Sequence, residues 1–246
     1  PETWNTGFFP KENLASFCDN NGEKVKAEIG SLAKEYNVKL KVEPVALDGF
    51  VFIVNKDNPV DCLTVSQIQD IYSGKITNWK ELGGEDADII PYQREKNSGS
   101  QTAMENMVME DREMMNAPEN LYIDGMGMLI EYVAEYHNSA ASIGYTYNYY
   151  INNLYKNDNI KVLSVDGISP DNDNFKNGLY PFTTTYNVVT RENDQNIMVS
   201  RIHDFILSDK GQELIELAGV IEDLQDDIIK SYYGYKSTLT QIKETR

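Results

Sequence analysis

An α/β fold is predicted by three features of this 246-residue sequence. Phe50-Val51-Phe52-Ile53-Val54 is an unbroken, β-rich apolar run, as expected of a strand buried on both faces in a parallel or mixed sheet between helices. Several flanking segments instead carry their apolar residues at helical spacing. Along the chain the two patterns alternate, which argues against an all-α or all-β protein.

Taken in order, Val25, Ile29, Leu32, Ala33 and Tyr36 define one face of an amphipathic helix over residues 22–36, after a turn-like stretch at 18–22. Val38, Leu40 and Val42 alternate with charged residues until Pro44 ends the run, a half-buried strand near a sheet edge. Residues 55–61 break the chain after the apolar strand. Thr64 and Gln67 form a capping box for a helix ending at Tyr72, with Val65, Ile68, Ile71 and Tyr72 inward and Gly74 closing it. A short apolar stretch at 89–92 leads into a polar loop, 93–97, and a second helix starts at Ser98. Residues 126–136 have helical period, 141–145 and 161–165 are strand-like, and 166–178 are turn-rich. Residues 182–190 read as a β segment, and 197–218 as a helical region interrupted around 208–211. The sequence shows neither internal repeat nor low-complexity tail.

The charge balance excludes some partners. With 22 Lys+Arg against 39 Asp+Glu the net charge is −17, so a nucleic-acid backbone or anionic membrane surface repels the chain. Its longest apolar run, Phe50 to Val54, falls far short of the roughly 18 residues of a membrane-spanning helix. The sequence begins at Pro1 with no charged n-region and no apolar h-region, which leaves a cytoplasmic protein and a secreted one with its leader removed both open. Cys18 and Cys62 read as unpaired thiols, with a bridge between them as the alternative. His137 and His203 lack any HExxH or HxH context and are assigned structural roles. No serine sits in a nucleophile elbow and no Cys/His pair is marked by its context, so neither catalytic residue nor cofactor is expected.

The most informative window is Arg94-Glu95-Lys96-Asn97-Ser98-Gly99-Ser100-Gln101. Ser98 and Gln101 form a second S-x-x-Q box, and Gly99 permits close approach to the first helical turn. A helix start offers free N–H groups and partial positive charge. Arg94 adds a planar fork of donors, and the Ser98 and Ser100 hydroxyls add two more. From the residues alone, an oxyanion site and an ordinary capped helix beside an exposed arginine both stand.

Other constellations are weaker. Asp171-Asn172-Asp173-Asn174 resembles a calcium loop, but Phe175 takes a ligand position and Lys176 replaces the turn glycine, leaving a solvated loop. Met104, Met107, Met109, Met114 and Met115 read as core filler. Tyr145, Tyr147, Tyr149 and Tyr150 read as half-buried aromatics before a sugar-stacking surface.

Ordered segments along the chain resemble the phosphate-binding, periplasmic-binding-protein-like components of bacterial phosphate ABC transporters. They are the strand and loop Phe50-Val51-Phe52-Ile53-Val54-Asn55-Lys56-Asp57-Asn58-Pro59; the segment from Leu63-Thr64 through Ile71-Tyr72-Ser73-Gly74-Lys75-Ile76-Thr77-Asn78-Trp79; Arg94-x-x-x-Ser98-Gly99-Ser100, with Ser100 where threonine is usual; Ile143-Gly144-Tyr145; Leu179-Tyr180-Pro181-Phe182; and Phe205-Ile206-Leu207-Ser208 with Gly211-Gln212.

The resemblance implies a two-lobed α/β fold with an oxyanion clamped between the lobes. Residues 54–183 would form the central lobe, and 1–53 with 184–246 the other. It makes Arg94 the charged clamp, Ser98 and Ser100 hydroxyl donors, and Gly99 and Ser100 backbone donors, with Gln101 added to the set. The implied function is extracytoplasmic capture of an oxyanion, phosphate first, for ABC permease subunits, by a binding protein held outside the membrane by a lipid. A surface interaction or sensory module on the same fold is the alternative. The family's opening strand, phosphate loop and aspartate-bearing loop have no counterpart in residues 1–37, so phosphate, molybdate and tungstate all remain candidate ligands. The first lobe is therefore expected to be incomplete. On that reading the chain binds oxyanion at roughly millimolar strength or weaker, a figure set by losing half the contacts, and an N-terminally extended form binds far better.

Overall fold

In the computed structural model, which describes residues 33–96, 98–135 and 139–218, a helical end at 33–35 turns through Asn37 (φ 53°) into a 16-residue strand, β1 (Leu40–Asn55). The rest of the helix expected over 22–36 lies outside the described residues. The strands expected on either side of Pro44 are one continuous element. Proline has no N–H to give to a ladder, and the register with the neighbouring strand shifts between Pro44 and Ala46, a bulge that accommodates it without ending the strand.

After β1 come β2 (Cys62–Leu63) and α1 (Val65–Tyr72). The Thr64 capping box is complete: the Gln67 N–H donates to Thr64 Oγ1 at 3.1 Å and the Thr64 N–H donates to Gln67 Oε1 at 2.8 Å. Ile68, Ile71 and Tyr72 are buried and Val65 half-buried, and Gly74 (φ 79°) follows the helix in the left-handed conformation that closes it. Two short strands, β3 (Ile90–Pro91) and β4 (Gln93–Arg94), precede α2 (Gly99–Ala103), which runs on as a wider π turn over Met104–Met109. Then follow β5 (Tyr122–Ile123), α3 (Met126–Glu135), β6 (Ser142–Tyr147), β7 (Ile160–Val162), β8 (Ser164–Val165) and α4 (Asn172–Lys176). The chain continues with β9 (Thr183–Arg191), α5 (Ile197–Leu207) and α6 (Asp209–Ala218). The strand expected over 161–165 is two strands belonging to different sheets, and the turn-rich stretch after it contains α4.

Strand β1 organises the sheet. Its first half, Leu40 to Gly49, pairs antiparallel with β9; its second half runs antiparallel to both β6 and β7, and β3 lies parallel to β6. Residues 50–54 have no exposed surface, the two-sided burial that their unbroken apolar run predicts. Because side chains alternate, one sheet face carries Ile53 and Gly144 towards α3, and the other carries Phe52 and Tyr145. An added Cβ at Gly144 would stand 2.5 Å from Leu129, so α3 sits almost on the backbone. On the opposite face Phe50, Phe52, Tyr72, Tyr145 and Phe182 form an aromatic cluster with ring centroids 5.5 to 6.3 Å apart along its contacts. Burial of each such ring is worth about 1.5–3 kcal/mol.

Where β1 changes partners, Asp48 is buried and fully bonded. Its Oδ1 accepts from the Gly49 N–H (2.8 Å) and the Tyr149 N–H (3.0 Å), and its Oδ2 from the Tyr186 hydroxyl (2.8 Å). The next residue, Gly49, packs under the Phe175 ring, which an added Cβ would meet at 2.3 Å. Farther along, His203 of α5 is buried against the Glu43 carboxylate of β1, a structural role as its lone context suggested.

Two outcomes follow from this crossing. Gly49→Ala should lose roughly 1–3 kcal/mol of stability, the usual cost of overpacking, read as a lowered urea midpoint. Burial raises the Asp48 carboxyl above its ordinary 3.8. The folded state therefore holds this proton more tightly than the unfolded chain, and the carboxyl subtracts stability as pH rises from 3.8 through the raised value. Relative to wild type, Asp48→Asn should gain stability from acidic to neutral pH; a constant difference in urea unfolding across that range would contradict this.

Candidate functional site

The site grows out of the junction between β4 and α2. Gln93 and Arg94 leave the β3 direction to pair in parallel with Tyr122 and Ile123 of β5. That pairing corrects the expected polar loop at 93–97: Arg94 ends a strand and is only 8% exposed. A two-residue strand has no periodicity for a sequence reading to detect. The guanidinium is tethered twice, with Nη1 donating to the Ile123 carbonyl and Nε to Ser100 Oγ at 3.3 Å. Among the described residues no carboxylate stands within 4.0 Å of it. Burial lowers the Arg94 pKa, while Tyr145, Asp124, Glu95 and Tyr150 act in the opposite direction. Arginine's basicity is high enough that the side chain stays charged. A buried cation with no carboxylate partner is costly and is a strong attractor for an anion.

Ser98 caps α2 in extended conformation, its Oγ accepting the Gln101 N–H at 3.2 Å. Gly99 and Ser100, the first helical residues, have N–H groups that no turn of their own helix reaches. The hydroxyl oxygens of Ser98 and Ser100 are engaged as acceptors, from Gln101 and Arg94, which leaves each O–H hydrogen to donate elsewhere. Guanidinium, two hydroxyls and two backbone N–H groups within one short stretch make a donor-only surface. Such a surface fits an acceptor-rich, tetrahedral oxyanion and offers nothing to a cation.

Gln101 departs from the expected box. The Ser98 N–H donates to the Glu95 carbonyl at 3.0 Å, so the Gln101 amide does not return to it. Its Oε1 instead accepts from the Arg94 N–H at 3.2 Å and from the Tyr145 hydroxyl. Its Nε2 donates to Glu105 at 2.9 Å and towards the Met114 sulfur at 3.4 Å. All four bonding positions are committed inside the protein, so the Gln101 amide supports the site and has no donor left for a ligand. Tyr145, whose hydroxyl also accepts the Arg94 N–H at 2.9 Å, is the participant that sequence reasoning missed. It stood in the Ile143-Gly144-Tyr145 landmark, but nothing local shows that its phenol reaches β4.

Asp171 caps α4, accepting the Asn174 N–H at 2.9 Å, and the described residues contain no cluster of three or more His, Cys, Asp or Glu able to hold a metal. Met104, Met109, Tyr145 and Tyr147 lie in the core. Cys62 is a free, exposed thiol, whereas Cys18 and His137 fall outside the described residues. A separate cleft of about 480 Å³ is lined by Asp57, Asn58, Trp79, Glu85 and Asp88. Its three carboxylates repel an anion, so the cleft does not compete for the ligand.

Residues 24–210 match a PBP superfamily domain. A solved structure from Clostridium perfringens, described as a phosphate ABC transporter substrate-binding protein with bound phosphate, superposes with a TM-score of 0.64 at 32% identity, over 83% of this chain and 76% of that one. The phosphate-binding protein PstS of Borreliella burgdorferi is 26% identical over 181 residues, 72% of this chain and 63% of its own length. PstS of Bacillus subtilis is 30% identical over 137 residues, 56% of this chain and 42% of its own length. The chain thus spans less than two thirds of these two relatives.

Capping makes one prediction independent of any ligand. Ser98→Ala should cost about 1 kcal/mol in chemical denaturation of the free protein, because the Gln101 N–H loses its acceptor.

Proposed function

The chain belongs to the PBP superfamily, and we propose that it is the solute-binding component of a phosphate ABC transporter. The observation that carries the reading is the buried Arg94 guanidinium, tethered to Ser100 and Ile123 but without a carboxylate partner among the described residues. Phosphate is favoured by the kinship with proteins named for phosphate binding and by the Clostridium perfringens relative described with phosphate bound.

Arg94 supplies charge and a planar pair of donors, the Ser98 and Ser100 hydroxyls supply two further bonds, and the Gly99 and Ser100 N–H groups supply the helix-start donors. Together they exchange the ligand's hydration for charge-assisted hydrogen bonds, which are about twice as strong as neutral ones. No bond in the ligand is made or broken, so the role is capture and release. The two lobes of the proposal divide along β1: residues 54–183 form the lobe with the oxyanion motif, and 1–53 with 184–246 the other. Permease subunits are the partners that receive the ligand. The same reading puts the protein outside the cytoplasmic membrane, held by a lipid; no helix among the described residues is long and apolar enough to cross a membrane.

Calorimetric titration of the 246-residue chain with phosphate, sulfate, molybdate and tungstate tests the proposal. Wild type should bind phosphate, and Arg94→Ala should weaken that binding by at least about 2 kcal/mol, roughly thirtyfold. Unchanged affinity in Arg94→Ala removes the site, and failure of all four anions to bind wild type overturns the function.

A further inference from the structure

We infer that Tyr145 is a positioning residue of the anion site, which through its hydroxyl fixes the Gln101 amide and the Arg94 backbone so that the guanidinium meets the Ser98-Gly99-Ser100 turn. The inference rests on the proposed oxyanion-binding role.

The argument begins with Gln101, which stands where a capping box would turn its side chain back to the Ser98 N–H. That donor is already spent on the Glu95 carbonyl, and the amide points into the protein instead. Its orientation is forced. The Arg94 N–H can only donate, so it faces Oε1 (3.2 Å); the Glu105 carboxylate can only accept, so it faces Nε2 (2.9 Å). Tyr145 closes the arrangement, donating to Gln101 Oε1 and accepting from the Arg94 N–H at 2.9 Å.

Arg94 is consequently held at both ends. Its backbone N–H is shared between Gln101 and Tyr145, and its guanidinium is tied to Ser100 and Ile123. The phenol touches no donor of the proposed ligand shell except through the Arg94 backbone, so its effect on a ligand is indirect. It is also rigid. The ring is fully buried in β6 between Tyr72 and Phe50, with centroids 5.5 Å from each, so the hydroxyl cannot swing away without moving the core. Burial raises its pKa well above the ordinary phenol value, so it remains a neutral donor at any physiological pH. A rigid hydroxyl that spaces the strand carrying the cation from the helix carrying the hydroxyls is how a site is kept within the fraction of an ångström that charge-assisted bonds demand.

Tyr145→Phe keeps the ring and deletes the hydroxyl, and Gln101→Leu reaches the same contact from the other side. Phosphate is titrated calorimetrically into wild type, both single variants and the double variant, and the urea midpoint of each is measured without phosphate. Each single variant should bind phosphate about tenfold more weakly, the equivalent of one well-made hydrogen bond. If the two side chains act as one strut, the double variant binds phosphate no more weakly than the weaker-binding single variant. Losses in affinity that multiply in the double variant, or Tyr145→Phe binding within twofold of wild type, overturn the inference while leaving the oxyanion role intact. Absence of phosphate binding by wild type overturns the role and the inference together.

Discussion

Residues 50–54 have no exposed surface, and a strand sealed from water must have its N–H and C=O groups paired within the protein. That requirement places β6 on one edge of the second half of β1 and β7 on the other. Once β6 is fixed, Tyr145 is fixed opposite Phe52, and the parallel pairing of Ile90 and Pro91 with Ser142 and Ile143 delivers the chain to Arg94. The cation therefore owes its position to backbone hydrogen bonding two strands away. The donors that accompany it come from a helix whose start is set locally, by Ser98. A global constraint and a local one meet at a single bond between Arg94 Nε and Ser100 Oγ.

The same division explains which parts of the molecule could be read from sequence. The capping box at Thr64 is complete because both partners sit within one turn and nothing distant competes for Gln67. The equivalent pattern at Ser98 is half made because Gln101 is claimed by a tyrosine 44 residues away. Pro44 was expected to end a strand, since its missing N–H is a local fact, whereas the bulge that absorbs it depends on β9, far along the chain. The identities of Arg94, Ser98, Gly99 and Ser100 were legible as a motif. The burial of Arg94 was not, because it arises from two residues of β5 that carry no signal of their own. Local chemistry was readable to the extent that no tertiary partner intervened.

A net charge of −17 sits oddly with an anion site only if charge is treated as uniform. Exposed carboxylates separated by more than a Debye length, about 8 Å at physiological salt, are largely screened from a ligand, while donors in contact with it are not. The placement of individual acids matters more than their number. Glu105 lies next to the site, yet it is bonded to the Gln101 amide and turns that amide's oxygen towards Arg94. Asp57, Glu85 and Asp88 line a different cleft. Acidity in this protein is compatible with anion capture because Glu105 is structurally engaged, and Asp124 and Glu95, whose charges reach Arg94, form no ion pair with it among the described residues.

The proposed two-lobed reading also limits where motion can occur. From Phe50 onward β1 is locked between neighbours, and the Phe50 ring lies against Tyr145, whose hydroxyl holds Arg94. Movement beyond that point would disturb the donor geometry on which binding depends. Leu40 to Gly49 pairs, among the described residues, with β9 alone and carries none of the proposed donors. The return passage is at Phe182, whose carbonyl accepts the Phe50 N–H at 2.9 Å, immediately before β9 begins. Asp48 joins the two regions by bonding to Tyr186 on β9 and to the Tyr149 N–H just after β6. The chain thus passes between the two regions at Asp48–Gly49, where β1 changes partners, and at Phe182–Thr183, where β9 begins.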